Sequence, residues 1–277
     1  MWNIVILAIF ILLASPVARA ESPVFATITT QDDARPLTPA VASQVDTVID
    51  ATRIRLKDGR IVQLSGIEIP AGTMNAPSTA EENAKKFLDE FFKDPMAKDV
   101  LLYQTPKSDT GRITRMGHEL MHMVRKHDHI WVQGALLRSG LARAWPVPSN
   151  PELADKMFAE ENLARTEKLG LWVDDSAYKL LDPDTALNQS EGFAVVEGTV
   201  KSVATVNNMV YLNFGPDWKK DFTVGIPAPV RQAMSRQGMD VFKFQGQVIR
   251  VRGWMRPYNG PFIELESPLL LEYPRIP

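Results

Sequence analysis

The sequence predicts a mostly β protein with helices, of the α+β class, divided into two small domains. Three observations carry this. Two β-rich runs, Val48 to Leu56 and Ile61 to Ile69, flank Lys57-Asp58-Gly59-Arg60, and Asp-Gly between such runs is a strong hairpin signal. Ala84, Phe87, Leu88 and Phe91 then recur at helical spacing. From Phe193 onward the pattern is almost purely β. A chain of 277 residues has room for two ordinary domains.

The elements follow in order. Residues 1–20 read as a signal peptide: Ile4 to Ala14 is an unbroken apolar run and Ala18-Arg19-Ala20 a small-x-small cleavage site, the run being too short to span a bilayer. This implies an exported chain, periplasmic or secreted, with no stable transmembrane segment once the leader is cleaved. An uncleaved anchor is the alternative, since the amino terminus supplies the only positive charge before the run. Residues 21–45, rich in Thr, Ala, Pro and Asp, are expected to be a flexible linker. The first domain is placed at 46–175. Ser78 and Glu81 have capping-box spacing at the start of its first helix. Val100 to Tyr103 predicts a strand, as does the alternation of Leu120, His122 and Val124 with Met121, Met123 and Arg125. A second helix starts near Trp131 and stops at Gly140. A third opens at Asn150-Pro151-Glu152, with Gly170 expected as its left-handed cap.

Asp182 to Ser190 reads as an interdomain connection, and the second domain is placed at 190–277. Its strands are Phe193 to Val200, Met209 to Phe214, Asp221 to Ile226, Gln247 to Trp254 and Phe262 to Leu265, with a short helix near Pro229 to Gly238 and a tight turn at Pro257 to Pro261. Five short strands with one helix between the third and fourth resemble an OB-type barrel.

The composition removes several functions. Cysteine is absent, which excludes thiol catalysis, iron–sulfur clusters and thiolate zinc sites. The net charge is −2, from 31 Lys/Arg against 33 Asp/Glu. Residues 190–277 carry 10 and 8, hence +2. Neither is the charge footprint of a polyanion binder.

Four segments, in order, resemble the staphylococcal nuclease (thermonuclease) family over about residues 46–174. Val48 to Leu56 and Val62 to Pro70 look like its first strands, Trp131 to Ala142 like its second helix, and Ala164 to Trp172 like the end of its third. The resemblance implies an OB-fold barrel with three helices. It also implies phosphodiester cleavage at a calcium ion held by carboxylates, with a water-activating carboxylate and two guanidinium clamps on the phosphate. Carboxylate oxygens suit a hard cation, and guanidinium suits phosphate because it is planar and always charged.

Position by position, the resemblance assigns few of those groups here. Asp50-Ala51-Thr52-Arg53 puts Thr52 where the family has its metal-binding Asp, while Asp50 matches a supporting acid. Counting back from Pro70 puts Gln63 at the first Arg position, Glu68 at the Asp of the Asp-Thr-Pro-Glu motif, and Ala71 at the water-activating Glu. The second Arg falls on His118 if Met116-Gly117-His118 is the matching element. It falls on Arg112 if Thr110-Gly111-Arg112 is, with a longer insertion. Arg112 and Arg115 are therefore the possible phosphate-binding residues.

Two further clusters stand out. His118-Glu119-Leu120-Met121-His122 fits the zinc-protease pattern H-E-x-x-H, which needs a helix to bring both histidines to one metal. On the expected strand they lie about 13 Å apart at roughly 3.3 Å per residue. His127 and His129, with Asp50 and Glu68, are the remaining weak metal candidates. In the second domain, Arg250, Arg252, Trp254 and Arg256 share a strand, and side chains two apart point the same way. That is either a single-stranded nucleic-acid face or an ordinary solvated face.

These readings leave three functions open. The leading one is a catalytically degenerate nuclease-fold module that binds nucleic acid or an envelope protein, with no cofactor. The second is a cation-dependent phosphodiesterase with a rebuilt site, for which calcium is the expected cofactor. The third is a metal-binding envelope protein using the histidine cluster.

Overall fold

A computed structural model describes residues 24–28, 37–73, 76–108, 110–189 and 191–273. The expected signal peptide lies outside them. The first domain is a closed five-stranded barrel of β1 (Val41–Val48), β2 (Arg53–Leu56), β3 (Ile61–Leu64), β5 (Asp99–Tyr103) and β6 (Glu119–Arg125), ordered β1-β2-β3-β6-β5. A short β4 (Ile67–Glu68) pairs with β7 (Arg143–Ala144) beside it. β3 and β6 run parallel, and the other barrel pairs are antiparallel. The expected run Val48–Leu56 is broken at Asp50–Thr52, where the chain turns from β1 into β2.

Three helices cover the barrel: α1 (Thr79–Phe91), α2 (Val132–Arg138) and α3 (Ala154–Thr166). The capping box at Ser78 and Glu81 forms as expected. Leu88, Trp131, Leu136 and Leu137 are fully buried in one core, against which Phe87 and Leu141 pack. α3 starts later than predicted because Leu153 takes a left-handed conformation (φ 63°). It also ends earlier, at Thr166, and two left-handed residues follow it, Lys168 (φ 53°) and the expected Gly170 (φ 53°). Gly170 is needed for a backbone contact: a Cβ there would lie 2.3 Å from the Gly140 carbonyl oxygen, which accepts a hydrogen bond from Leu171 N–H at 2.8 Å.

The linker expected at 21–45 is corrected at its described residues, 24–28 and 37–45. Residues 41–45 lie in β1, Ile28 and Leu37 are buried in the core with Phe25 packed against it, and Ile28 N–H bonds to His129 O. Contacts with residues distant in sequence hold these described residues, and a local composition bias does not reveal them.

A short α4 (Pro183–Ala186), capped by Asp182, lies in the connection. The second domain contains β8 (Gly192–Thr199), β9 (Ser202–Val206), β10 (Met209–Asn213), β11 (Thr223–Ile226), α5 (Ala228–Arg236), β12 (Val248–Pro257), β13 (Pro261–Glu264) and β14 (Leu271–Glu272). The strand path is β9-β10-β11-β13-β12, with β8 also on β12. β8 and β9 are successive stretches separated by Val200 and Lys201, so the path curls back on itself. β11 and β13 are parallel, in the same relative place as β3 and β6. Both domains thus share the strand logic of an OB-like barrel although no sequence repeat marks it. β9 was not legible in the sequence because most of it is exposed and lacks an apolar face.

The two domains meet across a third apolar cluster of Ala164, Trp172, Phe193 and Val195. Trp172, whose place in the family scaffold suggests the first core, belongs to this interdomain cluster instead.

Candidate functional site

The positions matching the nuclease site lie at the β1–β2 turn, on β3 and around β4. Asp50 makes the turn. Its carboxylate accepts hydrogen bonds from Thr52 N–H (2.9 Å), Arg53 N–H (2.8 Å) and Arg53 Nε (2.6 Å). Partial burial works against its charge, but these bonds outweigh burial and lower its pKa. Gln63 faces Arg53 across the β2–β3 pair, yet that guanidinium is already held by Asp50. Ala71 is exposed and follows Pro70, whose carbonyl accepts a bond from the Ser78 hydroxyl. The helix cap therefore fixes this loop, and the Glu81 carboxylate that reaches it is engaged by the N–H groups of Gly72 (2.7 Å) and Ser78 (2.8 Å).

Besides the supporting Asp50, Glu68 is the one catalytic position that keeps an acid. β4–β7 pairing sets it opposite Arg143, and Arg143 Nε reaches its carboxylate at 2.6 Å with both side chains largely buried (3% and 14% exposed). The same guanidinium bonds Phe193 O in β8 at 3.1 Å and lies 4.5 Å from the Phe193 ring centre. One oxygen of that carboxylate is thereby taken, and the adjacent guanidinium charge disfavours a cation at the other. With a neutral Thr52, an Asp50 engaged by Arg53 and a Glu68 engaged by Arg143, this donor set does not fit a calcium ion.

The second clamp position is also committed elsewhere. Arg112 donates to Thr105 O (3.0 Å) and Pro106 O (3.1 Å), which pins its own loop. His118 is buried, and only Arg115 remains exposed.

The histidines do not converge. β6 is a strand, so the H-E-x-x-H pattern has no helix to work on. His122 is fully buried, 5.7 Å from Trp131 between ring centres, and neither of its nitrogens has a hydrogen-bond partner. Burial pushes its pKa down to about 3; the Asn150 side chain opposes this shift without forming a bond of normal geometry. His127 lies 3.4 Å from Asp128, which also takes Arg125. His129 occupies a left-handed turn position (φ 60°). Among the described residues no three His, Asp or Glu side chains are grouped to hold a metal.

The arginines of the second domain are a further correction. Ile249, Val251 and Met255 do point into the barrel, and the Arg face does point outward. At Arg252, however, that outer face is covered by α3 of the first domain. Arg252 is fully buried and bonds both oxygens of Glu161 (2.8 and 3.0 Å), Ala144 O (2.8 Å) and Glu272. Burial opposes its charge, but the two carboxylates outweigh burial and raise its pKa. Arg250 pairs with Glu197 (2.5 Å) and Glu272 (3.0 Å). Trp254 is half exposed and lies 5.9 Å from both Trp145 and Phe193 between ring centres. Arg256 pairs with Glu264 at 3.1 Å. The four residues do not form one open face.

Sequence reasoning missed a different surface. Tyr211, Trp218, Tyr258 and Phe262 line a cavity of about 330 Å³ on the second barrel. The available signal was Trp218 beside Lys219-Lys220 in a loop, with Tyr258-Asn259 in the last turn.

Residues 61–174 match the family model described as Staphylococcal nuclease homologue. That stretch, which holds β3, β5 and β6 of the closed barrel with the helices that cover it, is therefore similar to that family. A comparison with curated proteins found no match.

Proposed function

We propose that this chain is a non-hydrolytic member of the nuclease fold, an exported binding module built from two joined barrels. The observation that carries the reading is the Glu68–Arg143 pair. The last acid retained from the family's catalytic set is buried against a guanidinium at 2.6 Å, and that guanidinium also holds the second domain through Phe193 O. The guanidinium takes one oxygen of that carboxylate, its positive charge disfavours a cation at the other, and Ala71 offers no base. Losing one electrostatic contact of this kind typically costs about 10²–10³ in rate. Several lost together leave little activity, although such losses are not additive. Export rests on the apolar run Ile4 to Ala14 and on Ala18-Arg19-Ala20.

The test is turnover of single-stranded DNA and RNA by the purified chain, with calcium and with chelator. The expected result is no cleavage above a buffer control under either condition. Cleavage that calcium restores after chelation, and that Glu68→Gln abolishes, overturns the reading in favour of a phosphodiesterase with a rebuilt site.

A further inference from the structure

We infer that the aromatic cavity on the second barrel is a binding site for single-stranded nucleic acid. This names a ligand for the binding module proposed above and in that sense rests on that proposal, but none of its residues takes part in the nuclease-like face.

The cavity lies across β10, β11 and β13, and its walls are rings. Phe262 is the floor, with Tyr258 at 5.2 Å and an interplanar angle of 60°, and Tyr211 at 6.4 Å and 46°. Trp218 stands at one edge. It is 56% exposed, and Tyr258 is 48% exposed. Large rings left in water around a concavity are unusual on a surface otherwise polar, and here nothing among the described residues covers them. Asn213, Thr223 and Asn259 add amide and hydroxyl groups to the wall. Asn213 and Thr223 are spaced by the β10–β11 register, which places their polar ends side by side. Asn213 and Thr223 already bond each other (3.4 Å) and Asn213 bonds Ser202 (3.1 Å), so the site offers stacking surfaces for a flat ring, with Asn259 as the exposed hydrogen-bonding group for its edge.

Charge decides which flat ligand suits it. Tyr258 and Asn259 also border a second depression of about 600 Å³ whose wall includes Lys219 and Lys220. Lys219 Nζ lies 5.5 Å from the Trp218 ring centre. Lys220 is largely exposed and only loosely paired with Asp217 at 3.7 Å. The Arg256 guanidinium, paired with Glu264 at 3.1 Å, lies 4.8 Å from the Phe262 ring centre and 5.4 Å from that of Tyr258. Rings beside adjacent cations match a base followed by its phosphate. A single strand is bound in this way, by stacking bases on aromatic side chains while basic groups track the backbone. A duplex is excluded because its bases present only edges. A neutral glycan would use the rings and the amides but gain nothing from the lysines.

The site also agrees with the weak net charge of this domain. Two or three phosphates need only the local cations, and a short strand is enough to fill cavities of this size.

The test uses the full chain and a short fluorescein-labelled oligothymidylate, with anisotropy read in chelator so that no cleavage intervenes. Binding at low salt is expected, with affinity falling as salt rises. Trp218→Ala and Tyr258→Ala should each weaken the Kd by about tenfold or more, as loss of one stacking partner does. Tyr258→Phe should retain binding, because stacking needs the ring and not the hydroxyl. Lys219→Gln with Lys220→Gln should reduce the slope of log affinity against log salt by about 1.4, at about 0.7 per phosphate contact on a single strand. Circular dichroism and the thermal midpoint should stay unchanged in these variants, since the substituted side chains are exposed. Absence of binding at low salt, equal affinity of the ring variants and the parent, or salt-independent displacement by a neutral oligosaccharide overturns the inference. None of these outcomes touches the hydrolysis assay, so the two proposals fail separately.

Discussion

Arg252→Met removes the centre of the join between the barrels and nearly conserves the side-chain volume. Its cost follows from what it strands. Glu161 loses two hydrogen bonds, at 2.8 and 3.0 Å, Ala144 O loses one at 2.8 Å, and Glu272 loses its closest cation. Glu161 is fully buried, so water cannot replace those bonds. Arg165 still reaches it at 2.5 Å, which keeps the loss from being larger. Breaking a buried pair by deleting one partner costs about 3–5 kcal/mol. At about 2–4 °C per kcal/mol for a chain of this size, the thermal midpoint should drop by about 6–20 °C. Glu161→Gln with Arg252→Met should cost less than the sum of the single changes, by about 0.5–3 kcal/mol. The acid side carries a second signature. Burial opposes ionisation of Glu272, but Arg252, Arg250 and Arg165 outweigh burial and hold its pKa below 4.5. Its contribution is present above 4.5 and is lost as pH falls through the lower folded value. Arg252→Met should therefore flatten the acid limb of the stability profile. Denaturant and thermal unfolding by circular dichroism measure both effects. A midpoint within about 2 °C of the parent would show that the ion network does not hold the domains together.

His122 supplies a test at milder pH. Its folded pKa of about 3 lies below its ordinary 6.5, so below pH 6.5 the unfolded chain takes up a proton that the folded chain refuses. Stability should fall by about 1.4 kcal/mol per pH unit from this one group. His122→Phe should make the loss between about pH 6 and pH 4 shallower by that amount, and coincident profiles would refute the assignment. Export predicts that the secreted chain begins at Glu21, read by N-terminal sequencing; a membrane fraction retaining Trp2 would contradict cleavage.

The elements legible in the sequence are those whose cause is local. The Ser78–Glu81 cap, the Asp58-Gly59 hairpin, the turn at Tyr258 to Gly260 and the helix after β11 each follow from residues within a few positions of one another. What escaped depends on separation. Arg252 and Glu161 are 91 residues apart, and a period-two reading assigns Arg252 to an outer face without saying that another domain covers it. The same holds for Glu68, 75 residues from Arg143. Read alone it is a retained metal ligand, and only the β4–β7 register shows it engaged. Ile28 and Leu37 failed as signals for a related reason: a segment held by long-range contacts needs no period of its own. The aromatic cavity escaped because its rings come from two strands, a loop and a turn, none of which is aromatic-rich by itself.

The polar groups at the join have a directional task that the apolar contact does not perform. Ala164, Trp172, Phe193 and Val195 form a small cluster, and an apolar patch of that kind resists separation more than rotation because dispersion and burial have little angular preference. Arg143 reaches from β7 to Phe193 O, and Arg252 from β12 to Glu161 and Ala144 O. Guanidinium bonds are planar and forked, so two of them from opposite sides of the contact fix its rotation. We take orientation, more than net stability, to be what these buried charges supply, since a buried pair often adds little stability over an apolar replacement. The consequence concerns the ligand surface. Phe193, Val195 and Arg252 commit β8 and β12 to the join, whereas the aromatic cavity is built on β10, β11 and β13. With β9 and β8 closing the curl behind them, β10 and β11 sit away from β12, so a rotation-locked join leaves the cavity open to solvent. Arg252→Met therefore separates stability from binding: it should lower the unfolding midpoint while leaving oligonucleotide affinity at the cavity unchanged at temperatures where the chain is folded. A parallel loss of both would place the ligand at the join and not on the barrel face.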